Sequence, residues 1–415
     1  MSKQLGVGFI GSGFIAEFHA KSWMGVRNAE IKGVCDPNLK SAQRLRDLCI
    51  QLEVGEPKVS ASVEEMIQNP EIDAVWILSP NYTRISVMKS IVTELEKGRS
   101  KLRGVACEKP LARNVKEAKR MVELVKRAGL LHGYLENQVF APSVLRAKEI
   151  IWRRGAELCG RPYLVRCAEE HSGPHKAWFW SGEKQGGGVL SDMMCHSIEA
   201  ARFLLTDSRK DKNSLIPCTI SAEIASLKWT RPRYMERVKK LTGGEVDYTK
   251  TPVEDFARAT IVFKDEERNT IIAETTVSWS FVGPGLRLSF ELIGPEYFAQ
   301  VNTLNPELYV FFSREVKGET GEDLVEKQTS EQGLMPVLAD EAFTYGYVYE
   351  NRHMVQSFLR GKIPRENWED GLFVTQLLMS CYMAAEREKK IKFPPPGLED
   401  FVPEVARGTW NPKNI

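Results

Sequence analysis

Short apolar runs alternate with amphipathic stretches through the first third of the chain. Strands are predicted at Gly6–Ile10, Glu30–Cys35, Ala74–Leu78, Gly104–Glu108 and Leu130–Tyr134. Helical spacing falls between them, at Ile15–Trp23, Leu39–Leu48, Ser62–Gln68, Arg84–Glu96 and Val115–Ala128. Such alternation predicts right-handed crossovers and a doubly wound parallel sheet. The pattern changes after Phe140. A helix over Ser143–Arg154 leads into a strand at Tyr163–Glu169 and a helix over Ser191–Leu205. Strands then follow with few helices between them: Thr219–Leu227, Ala257–Phe263, Thr270–Ser280, Arg287–Ile293, Tyr297–Asn302 and Leu308–Phe312. This order predicts an antiparallel or mixed sheet. Long helices over Leu338–Leu359 and Trp368–Arg387 precede a proline-rich end. The expected fold class is α/β, with domains at 1–138 and 139–392 and a tail at 393–415.

Composition narrows the function. The 415 residues carry 57 basic and 55 acidic side chains, a formal charge of +2, which gives no electrostatic case for nucleic acid as the main partner. No run approaches the roughly 18–20 apolar residues of a spanning helix. Leu5–Ile10 is too short for a signal core, so a cytoplasmic protein is expected. The 8 cysteines form no C-x-x-C pair, which fits reduced thiols.

Three motifs carry chemistry. Gly11-Ser12-Gly13-Phe14-Ile15-Ala16 follows the first strand and opens a helix. Gly11 allows a tight turn, Gly13 lets backbone approach a pyrophosphate, and Ala16 keeps the helix against the sheet. The helix start offers N–H groups and a favourable dipole to phosphate. Asp36 ends the second strand, where a carboxylate accepts from a ribose diol and repels a 2′-phosphate. No arginine follows it directly, so NAD is expected over NADP. The second motif, Glu108-Lys109-Pro110, ends a buried strand, so Lys109 would point into the ligand crevice of such a sheet. The third is Gly186-Gly187-Gly188-Val189-Leu190-Ser191-Asp192-Met193-Met194-Cys195-His196. If helical, Asp192 and His196 lie one turn apart on one face.

Together with Ser79-Pro80-Asn81, Glu254-Asp255-Phe256 and Glu369-Asp370-Gly371, these motifs resemble the glucose–fructose oxidoreductase and inositol dehydrogenase (Gfo/Idh/MocA) family in order and spacing. The resemblance runs from residue 5 to about 393. It implies a Rossmann domain that binds NAD through Gly11, Gly13, Phe14, Ile15, Asp36, Ser79, Pro80, Asn81, Glu108 and Lys109. It also implies a second α/β domain with a large open, mainly antiparallel sheet. The family's catalytic lysine, aspartate and histidine match Lys109, Asp192 and His196. The implied reaction passes hydride from a secondary alcohol of a sugar, glycoside or cyclic polyol to nicotinamide. His196 would exchange the proton, Lys109 would bond the reacting oxygen, and Asp192 would orient substrate or ribose. Related alternatives are an NAD-dependent glycosidase and a non-catalytic dinucleotide sensor. The chain departs from the family at Tyr82, Thr83 and Arg84, where histidine is common, and at Tyr134-Leu135-Glu136-Asn137.

The segment His171–Trp180 precedes the glycine run, and such loops commonly carry recognition. His175, Trp178, Trp180 and Tyr134 join Lys109, Asp192 and His196 as expected substrate contacts. His171, His175 and Cys195 are poorly spaced for a metal, and none is expected. His19 and Cys195 read as packing residues, and the basic stretch Trp229–Lys250 as a solvated loop. Val277, Trp279, Phe281, Leu288 and Phe290 suggest an apolar sheet face covered by a second copy, hence a homodimer or homotetramer. The tail, with Trp410, would either reach a neighbouring subunit or stay disordered.

Overall fold

Strands β1 (Leu5–Ile10), β2 (Ala29–Cys35), β3 (Lys58–Ser60), β4 (Ala74–Ile77), β5 (Gly104–Glu108) and β6 (Leu131–Leu135) form one sheet in the order β3-β2-β1-β4-β5-β6. Every pairing in it is parallel. The computed structural model describes residues 4–313, 326–328 and 332–412, so the last three residues of the expected tail lie outside them. The chain divides into two units, Met1–Pro142 with Ala342–Thr375, and Ser143–Glu341 with Gln376–Ile415.

In the first unit, β1, β4 and β5 are buried along their whole length, which is why they read as unbroken apolar runs. Val75, Ile77, Val105 and Cys107 pack against Met88 and Ile91 of the helix Arg84–Glu96, and against Met121 and Val125 of the helix Val115–Ala128. Asn38, Ser62 and Asn114 cap their helices through side-chain oxygens. A chain of edge-on rings, Phe9, Trp23, Trp76 and Phe358, ties β1 and β4 to the helix Tyr347–Leu359. Strand order reverses between β1 and β4. In such sheets ligands bind outside the carboxyl ends of the strands at that reversal.

The second unit is built on β7 (Leu164–Glu170), β8 (Ile216–Ala225), β9 (Phe256–Lys264), β10 (Thr270–Ser278), β11 (Arg287–Gly294), β12 (Tyr297–Asn302) and the short β15 (Ile391–Lys392). Their order is β12-β11-β7-β10-β9-β8-β15, and β13 (Leu308–Phe312) pairs separately with β14 (Gly333–Val337). Only β10 with β7 is parallel in the large sheet, which is therefore mixed and mostly antiparallel. The helix Val189–Leu205 packs on β7, β9 and β10.

That packing corrects the expected apolar patch. Val277, Trp279, Leu288 and Phe290 are buried within the unit, and Phe281 is half-buried. The opposite face carries cross-strand charge pairs beside a half-buried apolar row, Val262, Ile272, Leu164 and Ile293. Arg166 on β7 pairs with Glu274 on β10 at 2.9 Å and with Glu291 on β11 at 3.4 Å, and Arg258 pairs with Glu223 at 2.7 Å.

Other expectations also change. The predicted helix Leu338–Leu359 breaks at Gly346, whose φ is 99° and where a Cβ would meet the Asn137 carbonyl at 2.2 Å. The basic stretch after Trp229 holds a helix, Pro232–Leu241, that buries Val238. The described part of the tail folds onto its own unit: β15 pairs with β8, the turn Glu404–Arg407 packs on Gly182, and Trp410 is buried. All 8 cysteines are free. Among the described residues no helix is long and apolar enough to cross a membrane.

Candidate active site

The glycine turn takes the form the motif requires. Gly11 has φ 105°, and a Cβ there would lie 2.8 Å from the Ser79 nitrogen at the end of β4. Gly13 precedes the helix Phe14–Trp23, and a Cβ on it would enter open space. No side chain caps this helix start, and the space beside Gly13 is open. Those features fit a dinucleotide pyrophosphate. Asp36 is already oriented: Oδ2 accepts from the Ser12 N–H at 3.0 Å and the Ser12 hydroxyl at 2.9 Å, and Oδ1 from the Asn38 N–H at 2.8 Å. Phe14 and Ile15 are half-buried at the helix start, and the Phe14 ring tilts against Phe18.

Arg84 anchors the next two candidate segments. It is 3 % exposed. Its guanidinium donates to the carbonyl of Ser79 at 3.2 Å, to that of Lys109 at 3.3 Å, and to those of Glu108 and Pro110. One buried cation thus ties the Ser79-Pro80-Asn81 loop after β4 to the Glu108-Lys109-Pro110 segment ending β5. Asn81 is itself buried, and the Lys109–Pro110 peptide is cis. Arg84 stands in the stretch that departs from the resembling family, so its role had no motif to reveal it.

A buried polar network sets the charge beside Lys109. The Trp76 indole donates to Asn351 Oδ1 at 2.8 Å, which turns the Asn351 amide nitrogen toward Ser22 Oγ at 2.8 Å and His19 Nδ1 at 2.9 Å. Nδ1 then accepts, and His19 Nε2–H donates to Glu108 at 3.0 Å. Burial favours the neutral acid at Glu108, but the His19 bond, with Lys109 and Arg84 nearby, outweighs it and holds the carboxyl below its ordinary range. Burial drives Glu136 well above that range; Lys109 opposes the shift and Glu366 adds to it. Glu350 is also pushed well up, by burial and then by Glu108, Glu136 and Glu366. Glu108, held low, thus shares one buried cluster with Glu136 and Glu350, both raised, and Lys109 acts on Glu108 and Glu136. Tyr134 is fully buried among Rossmann core side chains, which gives it a packing role in place of the expected substrate contact.

In the second unit Asp192 and His196 lie one turn apart on the helix Val189–Leu205, at 5 % and 4 % exposure. Every residue of this helix is buried, so both ends need internal partners. At the start, Val189 N–H donates to the Glu254 carbonyl at 3.1 Å. Leu190 N–H donates to Glu254 Oε1 at 3.1 Å, and Ser191 N–H to the Tyr382 hydroxyl at 3.2 Å. At the end, Trp152 donates to the Leu204 carbonyl at 2.8 Å and Arg161 to that of Leu205 at 2.7 Å. Lys148 donates to the carbonyls of Phe203 and Thr206. A carboxylate at the start and cations at the end both suit the helix dipole. The Cys195 thiol donates to the Asp192 carbonyl at 3.2 Å, consistent with a packing role.

The loop before the glycine run divides its candidates. His175 is exposed and Trp178 half-buried, stacked on Phe179 at 3.8 Å. Trp180 is 1 % exposed and packs against Trp229, Tyr248 and Trp279, so it belongs to the core and not to a substrate surface.

With this geometry in place, comparison with known proteins defines the class. A family model described as "Oxidoreductase family, NAD-binding Rossmann fold" matches residues 5–134, and one described as "GFO/IDH/MocA C-terminal domain" matches residues 144–297. The chain belongs to the Gfo/Idh/MocA family of oxidoreductases. The myo-inositol 2-dehydrogenase of Thermotoga maritima is 26% identical over 199 residues, covering 48% of this chain and 54% of that protein. The scyllo-inositol 2-dehydrogenase (NAD(+)) of Bacillus subtilis is 29% identical over 206 residues, with coverage of 49% and 55%. The chain thus spans about half the length of the curated relatives it matches. Among solved structures, GenD2 from gentamicin A biosynthesis, in complex with NAD, has a TM-score of 0.74 at 22% identity, covering 95% of this chain and 98% of that one. Levoglucosan dehydrogenase in complex with NADH has a TM-score of 0.68 at 21% identity, covering 94% and 100%. At those identities the likeness is one of fold.

Proposed function

We propose that the protein is an NAD-dependent dehydrogenase acting on a secondary alcohol, or its ketone, in a sugar, glycoside or cyclic polyol. The observation that carries this is the buried Asp192–His196 pair on a helix held at both ends, in a chain whose other unit presents Lys109 at the end of a Rossmann strand. The relatives named for inositols support the substrate class.

When bound, the dinucleotide supplies the hydride acceptor. Gly11, Gly13, Phe14 and Ile15 would hold its pyrophosphate, and Asp36 its ribose diol. Ser79, Pro80, Asn81 and Glu108 would line the crevice toward the nicotinamide. His196 takes the hydroxyl proton, a task suited to imidazole near neutral pH. Lys109 hydrogen-bonds the reacting oxygen and stabilises its alkoxide character. Asp192 orients the substrate through an acceptor one helical turn before His196. His175 and Trp178 are the remaining candidates for hydroxyl and sugar-face contacts. For assembly we propose a homodimer through the open sheet face, where the alternating charges of Arg166, Glu274 and Glu291 can pair with a two-fold related copy.

Incubation with NAD and a panel of polyols, monosaccharides and glycosides tests the reading. NADH formation with a ketone product is expected, and Lys109→Ala or His196→Ala should each lower turnover about 10²–10⁴-fold with NAD binding retained. Near-parental turnover in either folded variant removes that residue from the mechanism. Glycoside cleavage without net NADH replaces the dehydrogenase with a glycosidase.

A further inference from the structure

The triple glycine has a reason beyond chain flexibility. A Cβ on Gly187 would lie 2.0 Å from the Tyr382 hydroxyl, and one on Gly188 would lie 2.4 Å from the Glu254 carbonyl and 2.6 Å from Glu254 Oε2. Two side chains from distant parts of the sequence occupy the space these glycines leave. Tyr382 donates to Glu254 Oε1 at 2.6 Å. Gly188 N–H lies 2.9 Å from Glu254 Oε1 and 3.1 Å from the Tyr382 hydroxyl, and so is shared between them. With the bonds to Val189, Leu190 and Ser191, the pair receives the N–H groups of four consecutive residues at the start of the Asp192–His196 helix. Glu254 is fully buried.

We propose that Glu254 and Tyr382 are positioning residues that hold the start of the Val189–Leu205 helix and thereby set where Asp192 and His196 stand for the reaction. Neither touches substrate in this account. They act through backbone N–H groups, and Gly187 and Gly188 are glycine because any side chain there would displace them. A helix start freed to shift by about 1 Å would cost turnover on the order of 10²-fold. Dinucleotide binding belongs to residues of the other unit and should hold. The turnover part of this inference rests on the dehydrogenase reading; the helix-clamping part does not.

The experiment compares the full-length parent with Glu254→Ala, Glu254→Gln and Tyr382→Phe. Amide hydrogen exchange across residues 186–196 is read by mass spectrometry, alongside kcat, KM and the NAD dissociation constant. In Glu254→Ala the amides of residues 188–191 should exchange about tenfold faster, as loss of a helix cap implies. Its kcat should fall about 10²-fold while NAD affinity stays within about twofold. Glu254→Gln keeps an acceptor at Oε1 and should recover most of both losses. If Glu254→Ala does not fold, Tyr382→Phe, which removes one hydroxyl and leaves the carboxylate, decides by faster exchange at Gly188 and Ser191. Parental exchange in folded variants overturns the proposal, as does a kcat within about threefold of the parent in Glu254→Ala. If the parent itself makes no NADH, the dehydrogenase reading fails, and exchange alone decides the clamp.

Discussion

Asp36 shows how much a single carboxylate is prepared in advance. Three donors from Ser12 and Asn38 fix its plane beside the glycine turn. A ribose diol can be received there without reorganisation, whereas a 2′-phosphate would meet a negative charge. Replacement by alanine should therefore lower the preference for NAD over NADP, measured as the ratio of kcat/KM values, by about tenfold or more, the worth of a charged hydrogen bond. A parent that prefers NADP, or an unchanged ratio, contradicts the assignment. Gly11, Gly13, Asp36, Lys109, Asp192 and His196 were legible in the sequence because each sits in a short local pattern at the end of a strand or the start of a helix. Arg84, His19, Glu254 and Tyr382 were not. Apart from the Arg84–Ser79 bond, the partners that define their roles lie 24 to 332 residues away, and only the folded chain reveals which group each one meets.

Among the elements, the Asp192–His196 helix carries a stability cost that depends on pH. Burial raises the Glu254 carboxyl from its ordinary value of 4.5 to about 7, against the opposing bonds from Tyr382, Leu190 and Gly188. Tyr382, which donates to it, and Tyr248, whose proton affinity Glu254 helps to raise, are its buried titratable neighbours. A carboxyl whose folded value is raised favours the folded state fully below the unfolded value. That advantage is lost as pH rises from about 4.5 to about 7. The shift corresponds to about 3 kcal/mol. Urea unfolding at pH 5 and pH 8 should show a larger fall for the parent than for Glu254→Gln, which cannot ionise. Equal falls would mean that Glu254 does not titrate in this range. Most elements were visible from periodicity, β1, β4 and β5 because burial on both faces leaves them wholly apolar. Periodicity alone missed the three-residue β3, too short to show a period, and the break at Gly346, imposed by contact with the Asn137 carbonyl. It also misplaced Val277 and Leu288. Alternation shows that one face of a strand is apolar, and not whether a helix of the same chain already covers it.

For the whole molecule, the corrected sheet changes the argument for assembly. Its inner face is closed by the Val189–Leu205 helix, and its outer face sets the paired charges of Arg166, Glu274 and Glu291 beside a half-buried apolar row of Leu164, Val262, Ile272 and Ile293. A dimer built there should be salt-sensitive, since exposed ion pairs are screened. Light scattering at micromolar concentration should give a multiple of 47.0 kDa that falls toward the monomer at high salt or in Arg166→Glu. A fully active monomer at low salt contradicts it. The proposed activity needs a dinucleotide held by one unit and the buried Asp192 and His196 of the other. Its most direct test is isotopic. The substrate found in the panel is deuterated at its carbinol carbons and turned over with NAD in ordinary water, and the nicotinamide and product are analysed by mass spectrometry. One deuterium is expected on the reduced nicotinamide for each ketone formed. Reduced nicotinamide without deuterium, or turnover with no reduced nicotinamide from any alcohol in the panel, would contradict it.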